Sequence, residues 1–314
     1  MLDPQAALAL QKLAAHNAQA GLQPSPEQLR ALYQSRRPFT EAPIPAVGIS
    51  RDHRLSQGSA TLTVREIRPA QASAQQVLPA LLYLHGGGWM VGDIETHDVI
   101  CRTLANAAGC TVISPDYRLA PEHPFPAAYD DTLATHAWML AHAEQLRIAP
   151  DRIAVGGDSA GGNLAAAACL GLRGLPHAPV FQLLIYPVTG VRTDTASYQA
   201  NGQGYGLTQA GMANYLAAYL GPAGPDGLTE PWRAAPMLAA SLKGLPPALV
   251  LTAGFDPLRD DGQLYADALS SAGVPTQYVC FERQIHGFVA MGGLIVEAHT
   301  ALALCGWALR RALG

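Results

Sequence analysis

The chain reads as an α/β protein: a mainly parallel central sheet flanked by helices, with a helical cap at one end. Three observations predict this. From about residue 60 onward, β-like runs alternate with helical ones, the pattern left by strand–helix crossovers. Two of the apolar runs end in glycine clusters, Gly86-Gly87-Gly88 and Gly156-Gly157. A content of 49% hydrophobic and 14% charged residues over 314 positions supports a large buried core. One α/β unit with a cap suits that length better than two equal domains.

The elements follow in order. Asp3-Pro4 caps and starts a first helix carrying Leu8, Leu10 and Leu13, with Gly21 closing it. Ser25-Pro26-Glu27 starts a second helix in the same way, and Pro38, Pro43 and Pro45 then break the pattern into a connector. Residues 1–45 are thus expected as a helical N-terminal segment and 46–314 as the main domain. Strands are expected at 60–67, 78–84, 110–114, 152–156, 180–186, 248–253 and 275–281, the first ones antiparallel. Sixty residues separate Tyr186-Pro187 from Ala248, too many for a plain crossover loop. A second cap segment is expected there, at about 190–235. Within it Thr208 caps a helix with Met212, Tyr215, Leu216 and Tyr219 at helical spacing, preceded by Gly202, Gly204 and Gly206.

The chemistry is concentrated at two strand ends. His85-Gly86-Gly87-Gly88-Trp89 follows the apolar run Leu81-Leu82-Tyr83-Leu84 and leaves backbone amides bare. A phosphate-binding loop would require Lys-Ser/Thr after its glycines, and these are missing. Gly157-Asp158-Ser159-Ala160-Gly161 lies between the strand-like Ile153-Ala154-Val155 and the helix-forming Leu164-Ala165-Ala166-Ala167-Ala168. A G-x-S-x-G pentapeptide at a strand-to-helix turn lifts a nucleophilic serine above the sheet, and the small residues on either side let strand and helix approach. The amides of Gly87, Gly88 and Ala160 then form an oxyanion hole, with His85 pinning the glycine loop rather than transferring protons.

Five segments carry a family resemblance: His85-Gly86-Gly87-Gly88-Trp89, Asp116-Tyr117-Arg118-Leu119-Ala120-Pro121-Glu122, Gly157-Asp158-Ser159-Ala160-Gly161-Gly162-Asn163-Leu164, Asp256-Pro257-Leu258-Arg259-Asp260 and Ile285-His286-Gly287-Phe288. In this order, from about residue 78 to the end, the chain resembles the hormone-sensitive-lipase-like (bacterial family IV) carboxylesterases. The resemblance implies an α/β-hydrolase fold and a carboxylic ester substrate. It also implies cap roles for the first 45 residues and for the stretch near 190–235.

The other members of a triad can be argued from position. Base and acid follow the serine in the order Asp/Glu, His, each in a loop after a strand. His286 follows the strand-like Thr276–Phe281 and precedes Gly287, whereas His16, His136, His142 and His299 fall within helical runs. His97 and His123 lie near the glycine loop and a Pro-rich turn and are weaker candidates for substrate contact. Asp256 stands nearest the end of the strand Ala248–Ala253; Asp260, the second choice for the acid, falls with Asp261 in the first turn of the next helix. Trp89, Met212, Tyr215 and Phe288 are candidates for the substrate pocket.

The expected reaction is two-step acyl transfer: Ser159 attacks, His286 takes its proton, Asp256 orients the imidazole, and water releases the acid. No metal or organic cofactor is implied. Short to medium acyl chains are expected, because the two cap segments are too short to build a long groove. Amidase, lactonase and formamidase activity would use the same machinery; a non-catalytic small-molecule-binding protein is the alternative of a different class, and a missing triad member would be its mark. The net charge of −4 argues against nucleic acid or anionic membrane as a main partner. Met1-Leu2-Asp3-Pro4 has no basic leader and no apolar span reaches about 18 residues, so a cytoplasmic protein without membrane insertion is expected. Cys101, Cys110, Cys169, Cys280 and Cys305 are scattered and odd in number, which points to free thiols. The run Tyr278–Phe281 as an unpaired final strand, together with the C-terminal helix, suggests a homodimer.

Overall fold

The computed structural model describes residues 1–18, 24–58, 60–224 and 227–314. Eight strands form one sheet: β1 (Ile49–Gln57), β2 (Ala60–Arg68), β3 (Leu78–Leu84), β4 (Thr111–Pro115), β5 (Ile148–Asp158), β6 (Phe181–Ile185), β7 (Ala248–Phe255) and β8 (Thr276–Ile285). Their order is β1-β2-β4-β3-β5-β6-β7-β8. β1–β2 and β2–β4 are antiparallel, and every later pair is parallel.

Because side chains alternate along a strand, the sheet feeds two separate cores. Leu82, Leu84 and Val155 point to one, shared with helices Ala127–Ala141, Ala160–Leu172 and Arg259–Ser271. Leu81, Tyr83 and Ala154 point to the other, packed under helices Asp98–Ala108 and Glu297–Leu313. β3 and β4 are buried at every position, as expected for strands covered on both faces.

β1 was not among the expected strands, and the reason is its composition. Ile-Ser-Arg-Asp-His-Arg-Leu-Ser-Gln buries only Leu55 fully and stands at the sheet's edge, so its backbone pairing with β2 decides its conformation without an apolar signal. β8 also runs four residues beyond the expected Phe281, to Ile285, through the polar Glu282-Arg283-Gln284.

At the N-terminus, Asp3 accepts a bond from the Gln5 amide and caps helix Pro4–Asn17, while Ser25 and Gln28 form a reciprocal capping box at helix Pro26–Ser35. Two details differ from expectation. The first helix carries Leu8, Leu10 and Leu13 as expected, but Leu8 is exposed, and Ala6 and Ala9 are buried with Leu13. Pro38 does not break the chain but sits in the first turn of a short helix, Arg37–Thr40, where its missing N–H costs nothing. Gly21, expected to close the first helix, lies outside the described residues. In the long segment after β6, Thr208 caps helix Gln209–Leu220, and a second helix occupies Ala196–Asn201. Cys101, Cys110, Cys169 and Cys305 are buried free thiols, and Cys280 is partly buried. Among the described residues, no helix is long and apolar enough to cross a membrane.

Candidate active site

Sheet order and register assemble the site. β3 and β5 are hydrogen-bonded neighbours with Leu84 opposite Gly157, so His85 onward leaves the sheet beside Ser159. β7 and β8 are neighbours with Phe255 opposite Ile285, so the next residues, Asp256 and His286, emerge side by side. Only β6 lies between the two pairs.

Ser159 follows β5 directly and precedes helix Ala160–Leu172, with φ 55° and ψ −117°. A non-glycine residue in that region is strained, and the surrounding packing holds it there. A Cβ on Gly161 would collide with the Leu84 carbonyl, so the tight crossing of helix and strand depends on glycine at that position. His286 Nε2 lies 2.9 Å from Ser159 Oγ, and His286 Nδ1 lies 2.7 Å from Asp256 Oδ2. Asp256 is fully buried, and its other oxygen accepts from the Leu258 amide at 2.8 Å. With Nδ1–H directed at a carboxylate, the imidazole presents a lone pair on Nε2 to the serine hydroxyl. Tyr186 packs against the His286 ring at 4.7 Å between centroids.

Asp260, the second candidate for the acid, faces elsewhere: it accepts from the Ser197 amide at 2.8 Å and pairs with Arg259 at 2.9 Å. It starts helix Arg259–Ser271 with Asp261, where the helix dipole favours both carboxylates.

The glycine loop faces the serine. Gly87 and Gly88 adopt φ 127° and 60°, and among the described residues their amides donate to no protein acceptor. The Ala160 amide begins a helix, where N–H groups lack intrahelical partners. His85 is buried; its Nδ1 bonds the Gly86 carbonyl at 2.9 Å and its ring stacks on Tyr117 at 4.1 Å. Burial, then the neighbouring His97, lowers its pKa to about 4, so at neutral pH it is an uncharged strut of the loop.

Sequence reasoning quoted Asp158 within the motif and gave it no role. Its Oδ1 accepts from the Gly86 amide at 3.0 Å and from the Tyr83 hydroxyl at 2.9 Å, and lies 3.3 Å from His97 Nε2. Burial pushes this carboxyl up, but His97 and Tyr83 outweigh burial and hold it below the ordinary range. Asp158 thus fastens the glycine loop to the serine turn. His97 is consumed in that network, and His123 is exposed, away from the cavity.

A cavity of about 410 Å³ opens in front of Ser159, His286, Gly87 and Gly88. Leu10 and Leu13 of the first helix, Leu29 and Tyr33 of the second, and Met212 and Tyr215 of helix Gln209–Leu220 complete its wall. Trp89 and Phe288 do not line it. Trp89 is buried and stacks on Tyr219 at 4.1 Å, and Phe288 is buried beside Phe281 and Tyr186. Both follow a motif residue in sequence, but their side chains turn into the cores.

A family model described as the alpha/beta hydrolase fold matches residues 81–290. The carboxylic ester hydrolase LipN of Mycobacterium tuberculosis is 43% identical over 234 residues, which cover 73% of this chain and 61% of LipN. The ethyl acetate hydrolase of Pseudomonas putida is 40% identical over 255 residues, 81% of this chain and 79% of that one. The solved structure of an ester hydrolase from the metagenome of Lake Arreo, complexed with a derivative of bipyridine phosphonate, has a TM-score of 0.90 at 39% identity and covers 99% of both chains. The chain belongs to the α/β-hydrolase-fold family, among its hormone-sensitive-lipase-like carboxylic ester hydrolases.

Proposed function

We propose that this protein is a serine carboxylesterase that cleaves short- to medium-chain esters through an acyl-enzyme. Ser159 Oγ attacks the ester carbonyl as His286 Nε2 takes its proton. The Gly87, Gly88 and Ala160 amides hold the oxyanion, and the alcohol leaves with the proton that His286 returns. Water then repeats the sequence on the acyl-enzyme and frees the acid and Ser159. Asp256 keeps the imidazole in the tautomer this needs and stabilises the imidazolium.

One observation carries this reading: the unbroken relay from Asp256 Oδ2 through His286 to Ser159 Oγ, at 2.7 and 2.9 Å, beneath a cavity of about 410 Å³. Labelling by a fluorophosphonate tests it. The probe should modify Ser159 within minutes and end ester turnover; turnover that survives stoichiometric labelling of Ser159 would refute the assignment.

In this reading, residues 1–45 and about 190–235 act as a cap that closes the acyl pocket. Support comes from the cavity wall, where Leu10, Leu13, Leu29 and Leu32 face Met212 and Tyr215. A homodimer through the edge strand β8 and helix Glu297–Leu313 is part of the same proposal. A light-scattering mass at the 33.0 kDa of one chain, at micromolar concentration, would remove it.

A further inference from the structure

The cavity wall is mostly apolar, which makes its one guanidinium conspicuous. Besides His286, Arg36 is the single basic side chain lining the cavity among the described residues. Neighbouring arginines are paired: Arg37 with Glu41 at 2.8 Å and Arg30 with Glu122 at 2.6 Å. Arg36 makes no ion pair among the described residues. Its Cζ instead sits 3.4 Å above the ring centroid of Tyr33, which is itself part of the wall. Stacking on an aromatic face fixes the guanidinium plane and leaves its N–H edge open for a planar anion.

A partly buried cation without a carboxylate is costly to maintain. Among the described residues Arg36 caps no backbone carbonyl, unlike Arg30, which donates to the Met90 and Ala120 carbonyls at 2.9 and 3.0 Å. The carboxylate on the same wall, Asp158, is already occupied by Gly86, Tyr83 and His97. Among the described residues, the charge of Arg36 is thus met by the Tyr33 ring and by no carboxylate, on the wall of the cavity in front of Ser159.

We propose that Arg36 is a specificity-determining residue that recognises esters carrying a free carboxylate, such as monoesters of short diacids or acyl esters of hydroxy acids. The inference rests on the esterase reading above and deepens it. The ester bond is cleaved by the same triad, and the remote carboxylate is held by the guanidinium fork.

The test compares two neutral–anionic pairs: monoethyl glutarate against its primary amide, with the carboxylate on the acyl side, and acetylated lactic acid against its amide, with the carboxylate on the alcohol side. The wild-type chain should turn over the anionic member of at least one pair at least as well as the amide, and the preferred pair shows which half faces Arg36. Arg36→Met should lower the anionic-to-neutral ratio of kcat/KM about tenfold or more, mainly through KM. Arg36→Lys should restore part of that ratio, and 0.5 M salt should erode it. Equal ratios in wild type and Arg36→Met would overturn the inference. Turnover of neutral p-nitrophenyl butyrate reports separately on the esterase reading. If Arg36→Met does not fold, calorimetric titration of the wild-type chain with glutarate and with glutaramide decides the matter, and equal affinity for the two overturns the proposal.

Discussion

The serine turn and the helical wall opposite it meet at the same cavity, but they are built by different means. Around Ser159 nearly everything is backbone and buried: the strained serine, the Gly87 and Gly88 amides, a helix start, and Asp158 tying loop to turn. These parts hang on β3 and β5, in the middle of the sheet. The opposite wall is made of side chains on helices Pro4–Asn17, Pro26–Ser35 and Gln209–Leu220. The first of these packs Ala6, Ala9 and Leu13 into the core beneath it, and polar ties are added by the Asp3 amide to the Arg283 carbonyl at 3.0 Å and, from the second, by Arg30 to Glu122. Helix Pro26–Ser35 buries no residue fully. On the proposed function, the difference teaches where variation is tolerated: the reacting groups would sit on parts that a packed sheet overdetermines, and substrate choice on parts whose side chains can change without unfolding it.

The sharpest way to break this contrast is to attack the serine turn. Ser159→Ala or His286→Ala should lower kcat by about a million-fold, with circular dichroism unchanged. Asp256→Asn should cost about ten-thousand-fold because the wrong tautomer is then favoured, whereas Asp260→Asn should stay within a few fold. The reverse ranking in steady-state kinetics would move the acid to Asp260.

Gly88 joins the two regions. A Cβ there would meet the Tyr215 ring at 2.5 Å in a backbone conformation that disfavours side chains. Gly88→Ala should therefore lower kcat/KM by about a hundredfold, in the range seen on losing an oxyanion donor. Adding Tyr215→Ala should recover part of the loss; no recovery would mean that backbone strain alone is responsible.

Changes confined to the cap side should be milder and act on selectivity. For p-nitrophenyl esters, kcat/KM should rise over the first few acyl carbons, at about 0.8 kcal/mol per buried methylene. It should then fall once a longer chain must displace packed side chains, at about 1–3 kcal/mol. A rate still rising at twelve carbons would show that the cap does not close the pocket. The smallest effect is expected for Arg30→Ala. Its pair with Glu122 is partly exposed and contributes at most about 1 kcal/mol, and its bonds to the Met90 and Ala120 carbonyls add about 1 kcal/mol each. Melting should drop by about 1.5 °C per kcal/mol for a chain of 314 residues, with KM raised and kcat nearly unchanged.

Much of the fold could be read locally. Apolar runs between glycines marked seven of the eight strands, and Asp3, Ser25 and Thr208 announced helix starts that the structure contains. β1 escaped because an edge strand of mostly polar residues is specified by its partner β2 rather than by its own hydrophobicity. The relay was legible from strand ends: Ser159, Asp256 and His286, the proposed nucleophile, acid and base, each follow a strand and are hydrogen-bonded to one another. The pocket was less so. Met212 and Tyr215 do line the cavity, whereas Trp89 and Phe288 turn inward, because side-chain direction at a loop depends on which neighbour offers a surface.

What the sequence determined by itself was therefore local: the strand–helix alternation, the glycines that permit a strained serine and open amides, and the order of Ser159, Asp256 and His286 along the chain. What tertiary structure alone decided was adjacency. Only the strand order sets β3 beside β5 and β7 beside β8, joining residues 127 and 30 positions apart into one relay. Only the docking of the N-terminal helices brings Tyr33 and Arg36 onto the cavity wall, from a stretch where no motif announces a function. Periodicity and turn chemistry act over a few residues. Contacts across the sheet and cap arise from burying apolar faces whose partners lie far away in the chain, and a single sequence does not print which faces will meet.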